Sequence, residues 1–204
     1  MSRVNVLFGK IIYKGLQMAV KFDSINKEHK AFIEAQKMFV VGSAGTEGFI
    51  NVSPKGMDSL RVIDENTVVW VNLTGSGNET STHVQENGRM TLMFNSFDKA
   101  PLILKLYGTA TVIHERDARW NEMTALFDDN VGTRQFFEMK VDLVLTSCGY
   151  AVPKYEFKGE RDTLKKWTEK KGREGIREYW EENNTHTLDG VETKIMDKSL
   201  RENE

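Results

Sequence analysis

The spacing of apolar residues changes character twice along the chain. After Ser24, a good N-cap, Ile25, Phe32 and Ile33 fall on one helical face, which predicts a helix to about Lys37. From Met38 the period shortens. Met38–Ser43 and Phe49–Val52 flank the turn Gly45-Thr46-Glu47-Gly48 and predict a hairpin. Leu60–Ile63 and Val68–Leu73 read as strands joined by the turn-rich Asp64-Glu65-Asn66. A glycine-rich loop, Thr74–Gly77, leads into a short helix from about Glu79 to Glu86, closed by Asn87-Gly88. Two longer strands follow, Arg89–Phe97 and Leu102–His114. Leu102, Leu104 and Leu106 share a face of the second, and Gly108 marks a bulge or bend in it. Glu115–Phe127, carrying Trp120, Met123, Ala125 and Leu126, reads as helix. In Arg134–Thr146, Met139, Val141, Leu143 and Leu145 alternate with Glu138, Lys140 and Asp142, which predicts one buried and one wet face.

The second change comes after Pro153, where the chain turns highly charged and helical. Leu164 with Trp167, and Ile176 with Tyr179 and Trp180, form apolar pairs on otherwise polar helices. They need a surface to cover, either this chain's barrel or a partner's. The tail after Lys194 is expected to fray. Residues 1–17 have weak periodicity and read as an extension, ahead of an alternative start at Met18. About six antiparallel strands with short helices between them predict a mainly β fold, a small closed or split barrel. A parallel sheet is excluded, because too few helices link successive strands. The expected organisation is an extension over 1–17, a barrel over 18–153 and a charged helical segment over 154–204.

Composition narrows the function classes. The chain has 204 residues, 39% hydrophobic and 28% charged, with a net charge of -2. No overall basic surface exists for nucleic acid or an anionic membrane, although a local basic pocket remains open. No apolar run approaches the ~18 residues of a membrane span. Val4–Val20 is broken by Lys10 and Lys14 and lacks a small-residue cleavage signal. The single cysteine, Cys148, rules out an intramolecular disulfide and fits a cytoplasmic protein.

Two clusters carry candidate chemistry. In Asn72–Ser81 a strand, a glycine loop and a helix follow one another. Free backbone N–H groups and the positive end of a helix dipole then face a common point, suited to an anion. Ser76, Gly77, Asn78, Thr80 and Ser81 lie there, three of them with side-chain donors beyond the loop. An ordinary capped helix after a loop would look the same. The second cluster is Asn51-Val52-Ser53-Pro54-Lys55-Gly56, with Arg61 on the next strand. If Lys55 and Arg61 point the same way they can neutralise a phosphomonoester; otherwise they are two solvated surface cations. His29, His83, His114 and His186 show no metal spacing, and His83 reads as a packing or surface residue. Cys148 has no adjacent cation to activate it and reads as a packed side chain.

Taken in order, Asn51-Val52-Ser53-Pro54-Lys55-Gly56-Met57-Asp58, Arg61-Val62-Ile63-Asp64, Leu73-Thr74-Gly75-Ser76-Gly77-Asn78-Glu79-Thr80 and Glu86-Asn87-Gly88-Arg89 resemble the pyridoxamine 5'-phosphate oxidase-like flavoproteins. Leu106-Tyr107-Gly108, Thr146–Pro153 and Glu156–Leu164 extend the likeness over roughly Met18–Val191. The resemblance implies a six-stranded split barrel that forms a homodimer around two FMN molecules. It places Ser53, Lys55 and Arg61, with Ser76, Gly77, Asn78, Thr80 and Ser81, around the flavin phosphate. Tyr150 then either covers a flavin face or is a structural aromatic. Two departures stand out. Where the oxidases proper carry a basic pair at the helix start, this chain has Glu79-Thr80, and it has no Arg-x-His substrate motif. The expectation is an FMN-dependent oxidoreductase acting on an unidentified small molecule, not a pyridoxamine phosphate oxidase. The alternatives are a non-catalytic flavin-binding or stress-related protein, the same barrel holding haem or a deazaflavin, and a purely structural module. No residue is assigned a catalytic role, since a flavin takes the hydride itself.

Overall fold

A computed structural model describes residues 19–98 and 100–199. The 1–17 extension and the alternative start at Met18 lie outside them. The fold is mainly β and antiparallel throughout. Its strands are β1 (Ala19–Phe22), β2 (Phe39–Ser43), β3 (Asn51–Lys55), β4 (Leu60–Asp64), β5 (Thr67–Leu73), β6 (Arg89–Asn95), β7 (Ile103–Ile113) and β8 (Thr133–Ser147). The helices are α1 (Lys27–Ala35), α2 (Glu79–Asn87), α3 (Trp120–Thr124), α4 (Thr163–Asn183) and α5 (Ile195–Ser199). The strand order is β3-β2-β6-β7-β8-β5-β4. The long β8 gives one edge to β7 and divides the other, pairing β5 along its first half and β1 along its last four residues. That division gives eight strands instead of about six, and it splits the barrel.

Local physics explains where the elements depart from expectation. The cap of α1 is Asn26, not Ser24: Asn26 accepts from the His29 amide, the His29 ring accepts from the Asn26 amide, and the helix stops at Ala35. Strand β3 runs from Asn51 to Lys55, so the residues expected at a strand end are the strand itself. Only Trp120–Thr124 of the 115–127 segment is helical, because Asp117 accepts from the His114 amide and turns the preceding residues. The tail does not fray at 195: α5 buries Ile195 and Ser199.

Gly108 does mark a bulge. The pairing of β7 with β8 slips between Tyr107 and Gly108, leaving Asp142 as the extra residue. A Cβ at Gly108 would collide with the Lys140 carbonyl oxygen. The slip reverses the alternation in β8, so that Met139 and Val141 are followed inward by Val144. Residues 134–137 are buried on both faces, whereas Lys140 and Asp142 are exposed as the alternation predicts. Phe137 and Met139 join the barrel interior with Trp70, Leu92, Leu104 and Leu106, while Phe136 packs outside with Val69, Val71 and Met123. Helix α4 packs on its own chain: Ile176 and Trp180 pack with Ile195 of α5, and the Trp180 Nε1 donates to Thr74 Oγ1 at 2.9 Å.

Candidate anion site at the glycine loop

The loop between β5 and α2 closes one end of the barrel with polar groups. Along β3, Asn51, Ser53 and Lys55 alternate inward, opposite Ser43, Val41 and Phe39 of β2. Asn51 donates to Thr80 Oγ1 at 2.8 Å, and Ser43 lies 3.0 Å from the buried His83 ring. Asn72 donates to Gln135, and Gln135 and Gln85 both donate to Ser81 Oγ at 3.1 Å. The Thr80 and Ser81 hydroxyls are therefore fixed as acceptors within the protein, and each keeps its own O–H to donate. Ser76 is exposed at the loop tip.

Several polar atoms at this end are buried without a hydrogen-bond partner among the described residues. They include both amide atoms of Asn78, which is 2% exposed, together with Ser53 Oγ and Arg134 Nε. Asn78 is the first boundary residue of α2, yet its side chain makes no capping bond. Arg134, 3% exposed, is the second residue of β8 and donates from Nη1 to Asn184 Oδ1 at 2.7 Å. Burial pushes its guanidinium down to about 10, against the pull of Glu79. The Lys55 ammonium sits 5.4 Å from the Trp70 ring centroid. Burial, and then the charge of Arg134, pushes it down to about 8, with Glu79 opposing. Glu79 at the start of α2 thus acts on two poorly solvated cations, and Ser53 Oγ, Asn78 Nδ2 and Arg134 Nε have no acceptor among the described residues. Such a set fits an anion, and a phosphate monoester in particular.

Arg61 is elsewhere. In the β4–β5 ladder it pairs with Val69, whereas Leu60 pairs with Trp70, so Arg61 and Lys55 occupy opposite faces. Arg61 donates to both carboxylate oxygens of Asp58, at 3.1 and 3.0 Å, and stacks 4.7 Å from the Phe127 ring. It lines an outer cavity of about 400 Å³ whose floor includes Val71, Leu73 and Phe127. That volume lies within the ~300–1,000 Å³ usual for small-molecule sites. Leu73 and Thr133 in its wall are the chain neighbours of Thr74 and Arg134.

The sequence pattern of pyridoxamine 5'-phosphate oxidase matches residues 25–148, more than half of the chain. The chain belongs to the pyridoxamine 5'-phosphate oxidase family. Within it, the family protein ustO of Aspergillus flavus is 38% identical over 141 residues, covering 67% of this chain and 57% of that relative's length. Among solved structures, a HupZ variant of Group A Streptococcus superposes with a TM-score of 0.50 at 20% identity, over 60% of this chain and 98% of the other. An FMN-binding protein of Syntrophomonas wolfei superposes more loosely, with a TM-score of 0.44 at 13% identity, over 57% and 82% of the two chains. Two partners in the cradle escaped the reading of the sequence, Arg134 and Asn184, whereas Glu79 was already marked there as a departure from the oxidases' basic pair. The first left a trace, as a cation heading the apolar run Phe136-Phe137.

Proposed function

We propose that this family member binds FMN and works as a flavin-dependent oxidoreductase on a small molecule, as a homodimer in the cytoplasm. The observation that carries the reading is Arg134, a buried guanidinium whose Nε has no partner among the described residues and whose Nη1 donates to the neutral Asn184. Among the described residues no salt bridge is formed by Arg134, and Glu79 acts on it only through space; burying a charge so weakly compensated is costly, and a bound phosphate would offset that cost. Arg134, Lys55 and Asn78 would hold the phosphate. The Thr80 and Ser81 O–H groups and the glycine-loop amides would add neutral donors. The apolar floor of the outer cavity, Val71 and Leu73, would take the ring and keep water from one face. When bound, the flavin supplies hydride acceptance and donation. Arg61, held by Asp58 at the rim of that cavity, would position the substrate end and not the phosphate.

Dimerisation is supported by the apolar side chains left exposed on and beside edge strand β3, namely Phe49, Ile50 and Val52. The free thiol of Cys148 and the absence, among the described residues, of a helix able to cross a membrane agree with the proposed location.

The test is titration of purified protein with FMN and riboflavin, followed by flavin absorbance and anaerobic reduction with NADH or NADPH. Replacing Lys55 by Ala should weaken FMN by roughly ten- to a hundredfold, the worth of one charge-assisted bond, and leave riboflavin nearly unchanged. A protein that takes up neither flavin, or that shows a Soret band instead, would refute the reading. Light scattering checks the dimer.

A further inference from the structure

Glu79 is the first residue of α2, where a carboxylate ordinarily does no more than favour the helix dipole. Its surroundings here are more specific. The side chain folds back over the loop so that a Cβ at Gly77 would collide with both carboxylate oxygens. One of those oxygens accepts from the backbone amide of Leu188, in the hairpin that follows α4. The same carboxylate is the acidic group acting on both Lys55 and Arg134, while Asn78 beside it has no partner among the described residues. Tyr179 is the other group whose charge state bears on Arg134.

The charge sum follows. Lys55, Arg134 and Glu79 leave the cradle one positive charge. A phosphate monoester carries close to two negative charges at neutral pH, since its second pKa is about 6. With Glu79 in place the occupied site is one charge in excess; without it the site is balanced.

We propose that Glu79 sets the charge selectivity of this site: its carboxylate stands against the phosphate, so the protein discriminates weakly between phosphorylated and unphosphorylated forms of the same ligand. The hairpin holds that carboxylate in place through Leu188, which makes the C-terminal segment part of the selectivity. The proposal rests on the flavin reading above, and it concerns a residue at which the chain departs from the basic pair of the oxidases it resembles.

The test compares the wild-type chain with Glu79→Gln, which keeps the size of the side chain and an oxygen to accept from Leu188. FMN should bind about tenfold tighter to the variant, equivalent to 1.4 kcal/mol, while riboflavin stays within about twofold. The gain should shrink as salt is raised. Inorganic phosphate is the second probe, read as a rise in melting temperature; it should stabilise E79Q at lower concentration than wild type. If both flavins bind and FMN affinity is the same in the two proteins, the proposal is overturned. Equal weakening of both flavins with a lowered melting temperature also overturns it, because that is the mark of a structural cap. If neither flavin binds the wild type, the flavin reading fails separately, and the phosphate comparison still decides the role of Glu79.

Discussion

Removing the guanidinium of Arg134 separates a binding site from a structural residue. Its pKa is pushed down to about 10 by burial. Set against the ordinary, higher value of a guanidinium, at 1.36 kcal/mol per pKa unit, that is a penalty of roughly 3 kcal/mol carried by the ligand-free protein at neutral pH. The sign follows from which form suffers. The charged form is disfavoured in the folded state, so the penalty is full below the folded pKa and is relieved only as pH rises from about 10 towards the unfolded value. Arg134→Met removes the penalty and keeps a buried, flexible side chain. It also strands Asn184 Oδ1, the acceptor of the 2.7 Å bond, at a cost of about 1–2 kcal/mol. The ligand-free variant should therefore be as stable as wild type or about 1–2 kcal/mol more stable. With FMN at a hundred times its Kd, wild type should gain about 2.7 kcal/mol and the variant little. Urea unfolding with and without FMN measures both. If R134M loses more than about 3 kcal/mol without ligand, as breaking a satisfied buried pair does, Arg134 is part of the scaffold and the anion argument collapses.

Three further outcomes are expected. Because Lys55 is held at about 8, below its ordinary value, its share of ligand-free stability should rise between pH 8 and 10.5, and FMN affinity should fall over the same window. A pH series on wild type and Lys55→Met checks this; matching slopes in the two proteins would contradict it. His114 is buried neutral and held at about 4, so stability should drop by roughly 3 kcal/mol as pH falls from 6.5 to 4, and His114→Gln should flatten that loss in acid titrations followed by circular dichroism. Gly108→Ala should cost about 3 kcal/mol or more, since its Cβ meets backbone, whereas Gly42→Ala, with 3.8 Å to the nearest atom, should cost under about 1 kcal/mol in the same urea assay.

The fold was legible because its signals are local. Alternation located the strands, Gly88 adopts the left-handed conformation that closes α2, and Gly108 sits at the bulge. What escaped was set by distant parts of the chain. The sequence points to Ser24 as the cap of α1, whereas the reciprocal bonds between Asn26 and His29 place the cap two residues later. Ile195 reads as the start of a polar tail until Ile176 and Trp180 provide a surface for it. In the candidate site the glycine loop and Lys55 were visible as motifs. The face on which Arg61 lies was not, because it depends on the β4–β5 register, and a slip of one residue would reverse it.

That dependence bears on how the site is built. A cation pair on two neighbouring strands would have been the simplest phosphate clamp, yet the ladder sends Arg61 to the outer cavity and leaves Lys55 at the barrel end. Its second cation is Arg134, separated from Lys55 by 79 positions in sequence and held by Asn184 from the C-terminal segment. The loop itself is tied to that segment as well, since Asn184 donates to the Gly75 carbonyl and Trp180 to Thr74. The charged helices after Pro153 therefore do more than cover an apolar patch. Together with the residues that follow α4, they supply the neutral partner of the buried guanidinium, a backbone amide for Glu79 and two of the bonds that hold the glycine loop in place. Loss of this segment would leave the charges of Lys55, Arg134 and Glu79 in place but remove the contacts that orient them, even with every barrel strand intact.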